Sequence, residues 1–363
     1  MTIRALLLAS TISLFSLVHA GSFETKAQLG EALFFETSLS GNRTQACATC
    51  HMPAVAFTDA RPNQFDRAVS IGADGTTHGR RHTPTLSYIG QTPTFHLNDE
   101  GLYAGGFFYD GRAHDLPAQA DGPIFSPLEM ALASPVVLLD RIKENGPYAG
   151  AIERLFGSDV LTQPSRLVTA VAESLAAFQR SDAFSPFNSK YDRFLRGEAD
   201  LTRLEEHGRL LFFSTLINCH SCHQLDHPTQ ETFTDYTYHN IGTPQNLSVN
   251  QADFGLAENP IVQGPQHEGK FRIPTLRNIA ITAPYMHNGV FRELETVLRF
   301  YNKYVMQAPT NPETGFPWGD PEVAENISLD LLRRGQPLDE YRIESLIAFL
   351  KTLTDEQFEH LLD

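Results

Sequence analysis

Four cysteines fall in two matching frames, Cys47-Ala48-Thr49-Cys50-His51 and Cys219-His220-Ser221-Cys222-His223, and the chain has no others. Each frame is C-x-x-C-H, the pattern for covalent haem attachment. Thiols three positions apart on one turn of chain reach the two vinyl groups of a porphyrin, and the next residue presents its imidazole to the iron. A zinc site needs four ligands, and a thioredoxin-like pair requires neither the histidine nor a second copy. Cys47, Cys50, Cys219 and Cys222 are therefore expected to carry two covalently bound haem c groups, with His51 and His223 as proximal ligands. A chain tethered in this way has to fold around two porphyrins.

Arg4, an apolar run from Ala5 to Val18 and the small residue Ala20 read as a signal peptide over residues 1–20. The run is shorter than the roughly 20 residues that cross a bilayer. No later segment is long and apolar enough, so no membrane span is expected and the mature protein is placed in the periplasm. An exported chain with four cysteines ordinarily suggests two disulfides, but the haem frames use them all. The formal charge is −15, and loss of Arg4 with the leader takes it to −16. Such a surface disfavours nucleic acid and anionic lipid, and it steers basic protein partners.

With 363 residues the chain has room for two or three domains, and internal repetition points to two. Gly30-Glu31-Ala32-Leu33-Phe34-Phe35 precedes the first frame and Gly208-Arg209-Leu210-Leu211-Phe212-Phe213 the second. Pro84-Thr85-Leu86 and then Asp110-Gly111 follow the first; Pro274-Thr275-Leu276 and then Asn288-Gly289 follow the second. Helical periodicity is clearest over Arg166–Phe178 and Tyr341–Leu353. The stretch from Gln179 to Asp200 is polar, with Pro186 and Gly197, and reads as a domain link. Loops 52–82 and 224–270 have no helical period and are expected to wrap the haems. The expected fold is all-α: a cytochrome c-like domain over 21–185 and another over 186–363.

With Phe108-Tyr109-Asp110-Gly111-Arg112 and Pro284-Tyr285-Met286-His287-Asn288-Gly289 between and after the frames, the chain resembles the bacterial dihaem cytochrome c peroxidases and their relative MauG. The resemblance runs from about Lys26 to Thr354. It implies that the haem on His51 meets hydrogen peroxide and that the haem on His223 handles electrons. It also implies that Gln119 and Glu129 form the peroxide pocket. A carboxylate there moves a proton between the peroxide oxygens, and an amide holds oxygen by hydrogen bonding.

The chain departs from the family pattern at several positions. Where resting peroxidases block the first haem with a histidine, the matching residue is Ala73, with His78 and His82 nearby as substitutes. Twelve residues after Gly289 stands Tyr301 in place of the usual methionine, so the second haem's outer ligand is Tyr301 or, alternatively, Met286. Tyr109 replaces the tryptophan between the haems and is either an electron bridge or packing; the only tryptophan is Trp318. The family's calcium would take carbonyls of Thr282 and Pro284, but His82 stands where a side-chain oxygen is usual, and imidazole suits a hard cation poorly. Three activities follow as expectations. One is a peroxidase fed by a small cytochrome c or copper protein, one a MauG-like enzyme that oxidises a residue of a protein substrate, and one a non-catalytic electron carrier.

Overall fold

The computed structural model describes residues 23–224, 229–249, 252–306 and 308–362; the expected signal peptide lies outside them. Helix α1 (Lys26–Phe34) starts at a reciprocal cap between Thr25 and Gln28. A single turn, α2 (Cys47–Cys50), carries the first haem frame. Four helices follow: α3 (Leu116–Phe125), α4 (Pro135–Glu144), α5 (Gly146–Phe156) and α6 (Pro164–Gln179). The last is the helix expected over Arg166–Phe178, and it buries Leu167, Val171, Leu175 and Phe178.

Beyond the short α7 (Lys190–Leu195), the second half contains α8 (Arg203–Phe212), α9 (Leu294–Asn302), α10 (Leu329–Leu332) and α11 (Glu340–Lys351). The strands described are two short antiparallel pairs: β1 (His96–Leu97) with β2 (Tyr103–Ala104), and β3 (Tyr238–His239) with β4 (Phe271–Arg272). The fold is therefore mostly helical, with long irregular segments.

Each half packs a core of its own. Leu29, Leu33 and Phe34 of α1 meet Leu167, Val171 and Leu175 of α6, while Leu211 and Phe212 of α8 meet Leu346, Phe349 and Leu350 of α11. Both crossings depend on a missing side chain. A Cβ on Gly30 would lie 1.8 Å from the Ser174 carbonyl oxygen, and a Cβ on Gly208 would lie 1.8 Å from that of Ser345. In each case the serine hydroxyl is satisfied one turn back, Ser174 on the Ala170 carbonyl at 2.8 Å and Ser345 on the Tyr341 carbonyl at 2.7 Å. The repeat in sequence is thus a repeat in packing.

The stretch read as a polar link is not a solvated tether. Phe184, Ser189, Tyr191 and Asp192 are buried in it. Asp192 caps α7 through Ser189 and takes two bonds from the buried Arg277, at 2.6 and 2.9 Å. A carboxylate removed from water is tolerated when its charge and lone pairs are met in this way. The halves are joined again by Arg81, which bonds Asp110 at 2.6 Å and Asp253 at 2.5 and 2.8 Å.

Candidate active site

Between the halves lies one cavity of about 890 Å³, near the top of the range of ordinary small-molecule pockets. Both haem frames form its walls, and so do Tyr109, Gln119, Glu129, Thr282, Pro284, Met286 and Tyr301. The site residues expected from sequence therefore share one chamber. Ala73, His78 and Trp318 do not line it. His78 instead packs its ring on Phe65, and Trp318 packs among Phe291 and Phe300.

The two frames are built alike. His51 Nδ1 lies 3.0 Å from the Phe57 carbonyl oxygen, and His223 Nδ1 lies 2.8 Å from that of Phe233. Phe57 and Phe233 adopt left-handed backbones, φ 58° and 55°, which turn those carbonyls inward. The adjoining loops are fixed by Thr85, whose hydroxyl donates to the Ala56 carbonyl, and by Thr275, whose hydroxyl donates to the Thr232 carbonyl at 2.7 Å. Anchoring Nδ1 orients the ring and leaves Nε2 as the nitrogen to face a metal. Burial lowers both imidazole pKa values, favouring the neutral form that ligates. Burial first, and then the neighbouring cysteine, push the Cys47 and Cys219 thiols up to about 12. Thiols held protonated are poor thiolate ligands or nucleophiles. Paired thiols, an anchored imidazole and an apolar chamber fit a c-type haem at each frame.

On the opposite side the repeat diverges in chemistry. Phe107 pairs with Ala113 across one Gly turn, and Tyr285 with Phe291 across the other. Gly111 and Gly289 take φ 68° and 63°, while Phe108 and Met286 take 61° and 71°. Tyr109 thus corresponds to His287, and Met286 to Phe108. Counting on from each glycine, α3 and α9 begin at equivalent residues, Leu116 and Leu294. Gln119 then matches Val297, and Pro123 matches Tyr301.

Lost hydration raises the Glu129 carboxyl pKa, offset in part by the Ser126 hydroxyl and the Arg112 guanidinium. The Glu129 carbonyl accepts the Ala73 N–H at 2.7 Å, which braces the Glu129 backbone. Arg112 lies 3.6 Å over the Phe108 ring. Burial raises the Tyr109 and Tyr301 phenols; Arg272 and Arg81 oppose this at Tyr109.

At the implied calcium position the residues do not fit. His82 is buried, and its Nε2 has no hydrogen-bond partner among the described residues. After burial, the largest influences on its imidazole are the Arg292 and Arg67 cations, which together with lost hydration lower its pKa to about 3. An imidazole in a positive field is a poor seat for a hard divalent ion. Among the described residues no cluster of histidine, cysteine and carboxylate side chains forms a metal site. Sequence reasoning missed two residues, Pro123 and Arg272. Pro123 was open to counting along the repeat, whereas Arg272, with Nε buried and unpartnered on the cavity wall, had no local signal.

A family model described as di-haem cytochrome c peroxidase matches residues 24–200. The methylamine utilization protein MauG of Paracoccus denitrificans is 48% identical over 351 residues, covering 93% of this chain and 90% of that protein. This chain belongs to the di-haem cytochrome c peroxidase family. A MauG of Methylophilus methylotrophus is 33% identical over 78% of the chain and 73% of its own length. Among solved structures, the diheme peroxidase BthA of Burkholderia thailandensis superposes with a TM-score of 0.83 at 33% identity, covering 94% of this chain and 89% of that one. As a member of the di-haem cytochrome c peroxidase family the chain is an enzyme, an oxidoreductase with haem cofactors. No helix among the described residues is long and apolar enough to cross a membrane.

Proposed function

We propose that the chain is a periplasmic enzyme, exported with loss of residues 1–20, that uses hydrogen peroxide to oxidise a residue of a partner protein. In this reading the domain 21–185 holds the peroxide-reacting haem on Cys47, Cys50 and His51. The domain 186–363 holds the electron-transfer haem on Cys219, Cys222 and His223. One repeat position carries the reading: twelve residues after the turn glycine the first half has Pro123 and the second Tyr301, and both line the cavity. A proline side chain has no atom that binds iron, whereas a phenolate oxygen is a haem ligand. The identity of 48% with a MauG supports the same choice.

When bound, the two haems supply redox-active iron able to hold the two oxidising equivalents of one peroxide. The chain supplies the rest. Glu129 takes the proton from one peroxide oxygen and delivers it to the other, so that water leaves rather than hydroxide. A carboxyl with a raised pKa suits both halves of that transfer. Gln119 holds the oxygen by donating from its amide. Tyr109, half-buried on the wall of the shared cavity, relays charge. Tyr301, rather than Met286, ligates the second haem, because an anionic oxygen favours higher oxidation states than a thioether does. Calcium is not part of the reading, since His82 occupies its place.

A second reading is a peroxidase that makes water with electrons from a small cytochrome c or copper protein. The formal charge of −15 favours it, since it would steer a basic donor. Ferric-state EPR followed by stoichiometric peroxide separates the readings. One high-spin signal and a long-lived two-electron-oxidised protein are expected. Rapid turnover with reduced cytochrome c would favour the peroxidase, and two low-spin signals inert to peroxide would leave only an electron carrier.

A further inference from the structure

A buried polar cluster between the halves has no part in the chemistry above. Tyr88 and Asn278 occupy the same place in the repeat, two residues after Pro-Thr-Leu ends, with φ 61° and 60°. Both reach one carboxylate. Tyr88 Oη donates to Asp355 Oδ1 at 2.5 Å, and Asn278 Nδ2 donates to Oδ2 at 2.8 Å. Tyr88 Oη also accepts the Phe187 N–H at 3.1 Å. Tyr88 is 1% exposed and Asp355 0%, yet Tyr88 also lines the central cavity.

The charges around this pair are unbalanced. The ionised groups acting on Asp355 are Arg277 and, more weakly, Asp192, which pair with each other at 2.6 Å, so much of the Arg277 charge is already met. The Asp355 carboxylate is buried and makes no direct ion pair among the described residues, and burial makes it a stronger base than an ordinary aspartate. Burial, opposed by the Arg277 guanidinium 5.0 Å over the ring and aided by Asp355, holds the Tyr88 phenol far above its usual pKa, so it does not ionise on its own. Loss of an electron from the ring acidifies the phenol, and the proton then has a place to go. Passing it to Asp355 discharges the carboxylate, while the Phe187 N–H keeps its bond to the oxygen.

We infer that Tyr88 is a redox-active tyrosine that gives up one electron while its proton moves to Asp355. The O–H bond of Tyr88 breaks, an O–H bond forms on Asp355, and a neutral tyrosyl radical remains. The terminal oxidant is hydrogen peroxide, so the inference rests on the peroxide reading. One peroxide with two protons becomes two waters by taking one electron from Tyr88 and one from a haem iron of the loaded enzyme.

The test is freeze-quench EPR of the haem-loaded enzyme after peroxide. An organic radical is expected whose hyperfine splitting narrows with ring-deuterated tyrosine, disappears in Tyr88→Phe and loses most of its yield in Asp355→Asn. Should those variants not fold, fluorotyrosine placed at position 88 alone keeps the hydrogen bonds and adds fluorine splitting to the same signal. A wild-type enzyme that consumes peroxide but forms no tyrosyl radical, or one whose radical lacks the fluorine splitting, overturns this inference and leaves the peroxide reading standing. A wild-type enzyme that does not consume peroxide overturns both.

Discussion

Twelve residues after its turn glycine the first half carries Pro123 and the second Tyr301, and eight after it the first carries Gln119 and the second Val297. Behind these residues the halves are nearly interchangeable: the same glycine-to-serine helix crossing, the same imidazole-to-carbonyl anchor, the same threonine brace. The side of each site built around its C-x-x-C-H frame is thus repeated, while the side built from the helix after the turn glycine has changed. A duplicated scaffold supports two different chemistries when a few residues on one helix differ. Substitutions on that helix should change reactivity, and substitutions behind the haems should change stability alike in both halves.

The largest effect is expected at Glu129, which the second half does not match with any described cavity residue. Glu129→Gln keeps the shape and removes the proton shuttle, and peroxide consumption measured by stopped flow should fall by roughly 10²–10⁴. The transfer needs the carboxylate as first acceptor, and its pKa is raised. The wild-type rate should therefore climb with pH through a value above the ordinary glutamate range and level off beyond it. An unchanged rate in Glu129→Gln would remove this residue from the reaction.

The ligand difference can be broken next. Tyr301→Phe takes the oxygen from the second site, so ferric EPR should gain a second high-spin signal about as large as the first. The reciprocal change, Pro123→Tyr, should diminish the first. If Tyr301→Phe leaves the spectrum unaltered, Met286 is the ligand and the contrast with Pro123 loses its meaning.

Stability offers a smaller effect with the opposite expectation, equality. Gly30→Ala and Gly208→Ala each drive a Cβ to 1.8 Å from a backbone oxygen, a clash that only separation of the helices relieves. Overpacking of this kind costs about 1–3 kcal/mol, more than the roughly 1 kcal/mol that alanine gains over glycine in a helix. Denaturant midpoints of the two variants should fall together. A large fall in one alone would mean that the crossings are not equivalent.

What could be read from sequence follows the range of the interaction. The haem frames, the Pro-Thr-Leu braces and the Gly turns are fixed by neighbours along the chain, so spacing located them. Tyr301 and Pro123 lie at one count from their glycines, so the match was legible in the sequence, but a proline inside a helix reads as backbone and draws no attention as a site residue. The backbone bond from Ala73 to Glu129 was not legible, because loop residues carry no period that would orient them. The segment around Asp192 reads as a domain link from its polar residues, and its burial was not legible because the partner Arg277 is remote in sequence. His82 was legible as a poor calcium ligand, but the Arg67 and Arg292 charges that act on it come from the fold and not from its neighbours in sequence.

The smallest effect tests whether the first site's electrostatics are tuned from its own turn. Arg112 follows the turn glycine and stacks on Phe108, whereas its counterpart after Gly289 is the uncharged Val290. Its side chain is 42% exposed, so the stack contributes only about 0.5–1 kcal/mol to stability. The guanidinium also lowers the Glu129 pKa, against the larger rise from lost hydration. Removing it in Arg112→Ala lets that rise go further, and the acid limb of the peroxide rate should move to higher pH by less than roughly one unit, since a half-exposed charge is screened. Well above the limb the rate should be unchanged, because Glu129 is ionised there in either protein. Val290→Ala removes no charge and should leave the limb where it was. A profile that shifts equally in both variants would mean that the turns act through packing and not through the field at Glu129.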